Sequence, residues 1–186
     1  MPEPDAWTEL LGAPDVPRLT LVLGGARSGK SRLAERLTVA ATDRTPTYIA
    51  TAQAWDDEMR ERIAQHQADR GGDWVTIEAP HDLDEAIVSA DRDTPTLVDC
   101  LTLWLSNRML AEADLTTETA DLLGALSARI APTVLVSNET GLGIVPDTPL
   151  GRRFRDAQGI LNQRVAAAAD CVVFTAAGLP LVVKRP

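Results

Sequence analysis

The chain has 186 residues, 45% of them hydrophobic, which is enough for one domain with a substantial core and too few for two comfortable ones. Its net charge of −9 argues against a nucleic-acid backbone as the main partner, and no apolar run approaches the roughly 20 residues of a membrane span. There is no basic segment followed by an apolar stretch near residue 1, so the expectation is a soluble, cytoplasmic protein that binds no nucleic acid and spans no membrane.

Residues 1–17 come first and carry Pro2, Pro4, Pro14 and Pro17 together with Glu3, Asp5, Glu9 and Asp15. They show no convincing period, and they read as a loosely ordered N-terminal arm ahead of a single domain over residues 18–186. Next is an apolar strand candidate, Leu19–Leu23, followed at once by Gly24-Gly25-Ala26-Arg27-Ser28-Gly29-Lys30-Ser31 and a helical run over Lys30–Ala41. That stretch fits the pattern G-x-x-x-x-G-K-[ST] in the context the pattern requires. A strand entering a glycine-rich turn and then a helix aims consecutive backbone N–H groups and a helix N-terminus at one point, which suits a polyphosphate. In this reading Gly24 and Gly29 allow close backbone approach, Lys30 reaches the β and γ phosphates, and Ser31 ligates Mg²⁺. The competing reading is a tight strand-to-helix turn with a lysine that happens to start the helix.

The remaining strand candidates are Thr47–Thr51, Trp74–Glu78, Thr96–Cys100, Thr133–Ser137, Cys171–Thr175 and Leu181–Lys184. Helical patterns at 56–68, 83–90, 101–111, 117–130 and 150–168 separate them. The alternation predicts an α/β fold of P-loop NTPase type, a mainly parallel sheet with helices on both faces and a C-terminal antiparallel edge hairpin. Cys100 and Cys171 fall inside apolar segments and read as buried reduced thiols. Asp99 ends an apolar strand run, so it is the best second carboxylate for Mg²⁺, although such a residue can also cap a helix or face water. Arg152, Arg153 and Arg155 form a local basic cluster able to meet phosphates.

Two histidines remain. His66 shares a helical stripe with Met59, Arg62 and Ile63, so on pattern alone it packs beside them as readily as it does chemistry. His81 precedes Asp82, Asp84 and Glu85 at a helix start and reads as a surface residue without chemistry.

Several segments together resemble the bifunctional adenosylcobinamide kinase and adenosylcobinamide-phosphate guanylyltransferase family. They are the P-loop, Tyr48-Ile49-Ala50-Thr51-Ala52, Asp57-Glu58-Met59 with Arg62-Ile63 and His66, and Ser137-Asn138-Glu139-Thr140-Gly141-Leu142-Gly143-Ile144-Val145-Pro146. Arg153-Phe154-Arg155-Asp156, Leu161-Asn162-Gln163-Arg164 and Ala177-Gly178-Leu179-Pro180 also match, so the likeness covers roughly residues 19 to 184. The P-loop is shared by many enzymes, whereas the histidine helix and the Asn-Glu-x-Gly-Leu-Gly-Ile-Val-Pro segment are far more restrictive.

The resemblance implies phosphorylation of adenosylcobinamide with ATP or GTP, then transfer of GMP from GTP to adenosylcobinamide phosphate with release of pyrophosphate, within cobalamin nucleotide-loop assembly. It places His66 at the guanylylated histidine and Lys30 as a catalytic cation. By the same likeness, nucleotide contacts fall on Gly24, Gly25, Ala26, Arg27, Ser28, Gly29, Lys30 and Ser31, on Ala50, Thr51 and Ala52, on Gln67, Ala68, Asp69 and Arg70, and on Glu78 and Asp99. Mg²⁺ falls to Ser31 and Asp99, while Glu78 and Asp99 also remain open as a base or a guanine reader. Asn138 and Glu139 end another strand and could face the site. A homotrimer is implied as well. Two other functions remain in view, a small-molecule P-loop kinase without the guanylyl transfer and a GTP-binding switch module.

Overall fold

The computed structural model describes residues 6–12, 16–54, 57, 60, 61, 64 and 73–186. Among them one sheet contains β1 (Leu19–Gly24), β2 (Thr47–Ala50), β3 (Val75–Glu78), β4 (Thr96–Asp99), β5 (Thr133–Asn138), β6 (Cys171–Ala176) and β7 (Leu179–Lys184). The strands lie in the order β3-β2-β4-β5-β1-β6-β7. All pairings are parallel except that of β6 with β7. Each strand candidate of the sequence is therefore a strand, and the antiparallel edge lies where the C-terminal hairpin was expected. Its turn is tighter than the expected connection, because Ala177 and Gly178 both take positive φ, 52° and 79°, the backbone twist that joins two strands through two residues.

The described helices are α1 (Ala6–Leu11), α2 (Lys30–Val39), α3 (Leu83–Ser89), α4 (Leu101–Leu110), α5 (Leu115–Ala128) and α6 (Pro149–Ala168). Asp57, Arg60, Glu61 and Ala64 have helical backbone and are exposed; the other members of the helix expected over 56–68 lie outside the described residues. Helix starts follow local chemistry. Asp114 caps α5 by accepting from the Thr116 N–H, and Thr148 caps α6 ahead of Pro149 in its first turn.

Period-two alternation divides the core between the two faces of the sheet. Leu19, Leu21, Ile49, Val98 and Leu135 pack with Leu83 and Ile87 of α3, Trp104 of α4, Leu122 of α5 and Leu161 of α6. The opposite face, with Val22, Tyr48, Leu97, Val134 and Val136, packs against Ala34 and Leu37 of α2 and Trp7 of α1. The ends of strands on this second face therefore lie on the side where α2 begins. Cys100 and Cys171 are free and buried, and burial pushes both thiols up to about 11.

Within the N-terminal segment, residues 6–12 pack on the domain. Trp7 is 0% exposed, its indole Nε1 donates to the Leu37 carbonyl at 2.8 Å, and Glu9 pairs with Arg36 at 2.8 Å. Arg185 at the other end of the chain donates to the Leu11 carbonyl at 3.0 Å. One large apolar side chain with a polar tip is enough to dock a helix of less than two turns, too short to display a period.

Arg129 holds the far end of the sheet together. It is 5% exposed and donates to the carbonyls of Ile87, Ala90, Asp91 and Thr94 and to Thr96 Oγ1, at 2.8 to 3.2 Å. Burial lowers its pKa from the usual guanidinium range.

Candidate nucleotide site

The glycine-rich loop leaves β1 at Gly24 and enters α2 at Lys30. Close packing explains Gly24: a Cβ there would stand 2.4 Å from Ser28 Oγ and 2.6 Å from the Thr175 carbonyl oxygen. Gly29 needs its freedom for another reason, a φ of 93° that turns the chain into the helix. The Gly178 N–H donates to the Ser28 carbonyl at 2.8 Å, so the turn between β6 and β7 braces the loop from behind. Among the described residues no side chain caps α2, so the N–H groups of its first turn, with the positive end of its dipole, suit a ligand. Lys30 Nζ donates to the Gly25 carbonyl at 3.2 Å, which folds the cation over the loop, and Ser31 follows it half-buried.

Strand register brings the other expected residues into line. Ala50 pairs with Glu78 on one side and Asp99 on the other, Asp99 pairs with Val136, and Gly24 pairs with Asn138. Alternation places Glu78, Ala50, Asp99, Asn138 and Gly24 on one face of the sheet, the α2 face, at its carboxyl edge. Ligands of open α/β sheets bind at that edge. Of the loop residues, Ala26 and Arg27 are exposed, Ser28 is buried and Gly25 is half-buried; Arg27 takes φ 55°. His66, Gln67, Ala68, Asp69 and Arg70 lie outside the described residues.

Thr51 and Ala52 differ in what they have to offer. The Thr51 hydroxyl donates to the Cys100 carbonyl at 2.7 Å and accepts from the Cys100 N–H at 2.8 Å. Its N–H reaches the Asp99 carbonyl at 3.3 Å and its carbonyl accepts from Asn107 Nδ2 at 3.0 Å. Thr51 is thus a buried pin joining the ends of β2 and β4, while Ala52 is half-buried beside a cavity of about 420 Å³ with Gln53, Ala54, Glu78 and Pro80. A second cavity of about 400 Å³ is also lined by Glu78 and Pro80, with His81.

His81 is not the plain surface residue expected. It is half-buried, its Nε2 lies 2.9 Å from Gln53 Nε2, and its carbonyl accepts from Trp104 Nε1 at 2.9 Å. These contacts join positions 23 and 28 residues apart, which no local pattern announces. Sequence reasoning also missed the role of Thr102, which accepts the Asn138 N–H at 2.8 Å, and of Gln158 and Asn162, buried on α6 behind β5. The signal for the last pair was polar residues on the inward stripe of a long amphipathic helix.

The donor set fits Mg²⁺. Ser31 and Asp99 offer hard oxygen atoms, and no cluster of three or more His, Cys, Asp or Glu side chains suited to a metal occurs among the described residues. An ion here would rest on few protein oxygens plus phosphate and water, the usual manner of Mg²⁺ in phosphoryl-transfer sites.

Three comparisons bear on this arrangement. A solved structure, the flagellar accessory protein FlaH from Methanocaldococcus jannaschii, superposes with a TM-score of 0.57 over 98% of this chain and 85% of its own. At 14% identity that likeness concerns the fold alone. Among curated proteins, the bifunctional adenosylcobalamin biosynthesis protein CobP of Pseudomonas aeruginosa is 50% identical over 167 residues, covering 88% of this chain and 96% of its own length. The bifunctional adenosylcobalamin biosynthesis protein CobU of Salmonella typhimurium is 40% identical over 183 residues, covering 89% and 99%. The family model described as cobinamide kinase / cobinamide phosphate guanyltransferase matches residues 20–183, and the chain belongs to that family.

Proposed function

We propose that residues 18–186 act as one catalytic unit that phosphorylates the aminopropanol hydroxyl of adenosylcobinamide with ATP or GTP and then transfers GMP from GTP to that phosphate. The carrying observation is the braced glycine loop with Lys30 folded over it, on the same face of the sheet edge as Asp99 and Glu78. Charge is the main obstacle in both reactions, since the attacked phosphorus is ringed by anionic oxygens. Lys30, the loop N–H groups and the first turn of α2 supply a fixed positive field for them. When bound by Ser31 and Asp99, Mg²⁺ would add charge neutralisation at the phosphate oxygens.

In the second reaction a neutral nitrogen of His66 attacks the α-phosphorus of GTP as the bond to pyrophosphate breaks. An oxygen of adenosylcobinamide phosphate then attacks the same phosphorus as the N–P bond breaks, which regenerates the imidazole. Gln67, Ala68, Asp69 and Arg70 would contact the nucleotide beside it. The corrinoid would dock against the loop 139–149, where Leu142, Ile144 and Val145 are 81%, 98% and 58% exposed, with a neighbouring subunit of a homotrimer.

The test uses GTP radiolabelled at the α-phosphate, with Mg²⁺ and no corrinoid. Acid-labile, alkali-stable label on the wild type and none on His66→Ala supports the reading, and Lys30→Ala should cripple both labelling and phosphorylation. Label persisting on His66→Ala would refute the covalent assignment. Unlabelled wild-type protein that still binds GTP would favour a simple kinase or a switch.

A further inference from the structure

The turn between β6 and β7 lies against the glycine loop. A Cβ on Gly29 would stand 3.2 Å from the Gly178 Cα, and one on Gly24 would stand 2.6 Å from the Thr175 carbonyl oxygen near the end of β6. Across this contact the Gly178 N–H donates to the Ser28 carbonyl at 2.8 Å. The hairpin has no use of its own for that N–H. A two-residue turn is closed by the residues on either side of it, here Ala176 and Leu179, and the N–H of its second residue is spare. Gly178 presents it to the loop through a φ of 79°. A Cβ there would meet nothing within 4 Å, so backbone twist, and not crowding, is what asks for glycine.

That bond sets the direction of one dipole in the loop. The peptide joining Ser28 to Gly29 is a rigid plane in which the C=O and the N–H point opposite ways. With the Ser28 carbonyl turned back onto the hairpin, the Gly29 N–H points away from it, on the side where the motif offers its N–H groups to phosphate. Without the tie this peptide can turn over at small cost, because Gly29 accepts φ of either sign. The turned-over form would aim a carbonyl oxygen at the phosphates in place of a donor, and two negative groups repel.

We propose that Gly178 is a positioning residue of the nucleotide site, whose N–H keeps the Ser28–Gly29 peptide turned so that the Gly29 N–H faces the phosphates. The proposal rests on the reading of the glycine loop as the nucleotide site. The role is a shift of population: the fraction of loops with the N–H facing in scales the apparent affinity. Losing one backbone hydrogen bond therefore weakens binding by about 3- to 10-fold. The tie acts on the phosphates and not on the base, so ATP and GTP are affected alike. KM rises while kcat is kept, because the contact is made equally in the ground state and the transition state.

The test measures calorimetric affinity for GTP and for inorganic tripolyphosphate in wild type, Gly178→Asn, Gly178→Ala and Gly178→Val, with KM and kcat for ATP in phosphorylation of adenosylcobinamide. Asparagine tolerates positive φ and should keep both affinities within about twofold. Valine at positive φ is an outlier, so the turn rewinds and its N–H swings away from Ser28. Both affinities should then fall by about 10-fold and KM for ATP rise to match, with kcat within about threefold. Alanine should fall between the two, and it serves if the valine variant folds poorly. Val173→Ala, a buried change earlier on β6, controls for loosening of the hairpin and should keep GTP affinity despite its lower melting temperature. GTP affinity within about twofold of wild type in both Gly178→Ala and Gly178→Val would overturn the proposal, as would equal weakening in Gly178→Asn or in Val173→Ala. Wild-type protein that binds GTP and tripolyphosphate but phosphorylates no adenosylcobinamide would overturn the functional reading and leave the affinities to decide the role of Gly178. Wild-type protein that binds neither would overturn both.

Discussion

Replacing Trp7 with alanine tests whether α1 belongs to the core. The indole is 0% exposed and sits among Val22, Ala34, Leu37 and Tyr48. A buried tryptophan removes about 150–250 Å² from water, worth about 4–6 kcal/mol at 25 cal/mol per Å². Residual compactness of the unfolded chain takes back up to about 40% of that, and the bond from Nε1 to the Leu37 carbonyl returns about 1 kcal/mol. The expected loss is about 3–5 kcal/mol, the usual scale for large-to-small core replacements. In a chain of this size that lowers the melting temperature by about 6–20 °C. Urea unfolding followed by far-ultraviolet circular dichroism measures it, with Trp7→Phe as the control that removes the hydrogen bond but keeps much of the bulk, at a cost of about 1–2 kcal/mol. Because the variant can do no worse than release α1, deletion of residues 1–12 should cost at least as much. A loss below about 1 kcal/mol in Trp7→Ala would refute the docking argument.

The remaining expectations come from three other places in the fold. Gly24→Ala should keep the fold but lose nucleotide binding, measured by calorimetric titration with GTP, because its Cβ meets Ser28 Oγ at 2.4 Å and backbone oxygen of β6 at 2.6 Å; unchanged affinity would sink the account of the loop. Arg129→Ala should cost about 3–5 kcal/mol in urea unfolding, since five charge-assisted bonds at about 1.5–3 kcal/mol each are offset by several kcal/mol for desolvating the cation. The third concerns alkaline pH. Burial pushes the Cys100 thiol up from its ordinary 9.0 to about 11, so the folded protein holds a proton that the unfolded chain releases. That contribution is complete below pH 9 and is lost as pH rises toward 11, at up to about 1.4 kcal/mol per pH unit. Urea midpoints from pH 8 to 10.5 should fall less steeply in Cys100→Ala than in the wild type, and identical slopes would contradict the burial argument.

Fold and site differ in how far they can be read from the chain. The parallel strands were legible because each is a short run such as Thr-Leu-Val-Asp or Thr-Val-Leu-Val bounded by turn residues, and because a strand buried on both faces must be continuously apolar. The glycine loop was legible because its pattern encodes backbone geometry directly. Helix α1 was not, since its docking depends on Trp7 meeting a carbonyl 30 residues away. The same holds for His81 beside Gln53 and for Asn162 behind Asn138, where partners are 28 and 24 residues apart. Non-local polar pairing leaves no period. Thr51 shows the converse, a position that the family likeness marked for nucleotide contact and that packing uses to hold two strand ends together.

Two transfers at one site impose a constraint that the loop geometry sharpens. On the proposed function, the kinase step needs the γ-phosphorus in line with a hydroxyl, whereas the guanylyl step needs the α-phosphorus in line with His66. Something must shift between them, either the nucleotide, the histidine-bearing segment or the loop. The loop is braced. Gly24 is packed against Ser28 and the Thr175 carbonyl, Gly29 approaches Gly178, and the Gly178 N–H holds the Ser28 carbonyl at 2.8 Å. The positive field therefore stays where it is, and reach must come from the nucleotide's pose or from the His66 segment. On the proposed function, a braced cradle lets Lys30 serve both reactions and His66 only one: the cation neutralises charge wherever the chain of phosphates lies across the loop, but a nucleophile acts only on the phosphorus brought in line with it.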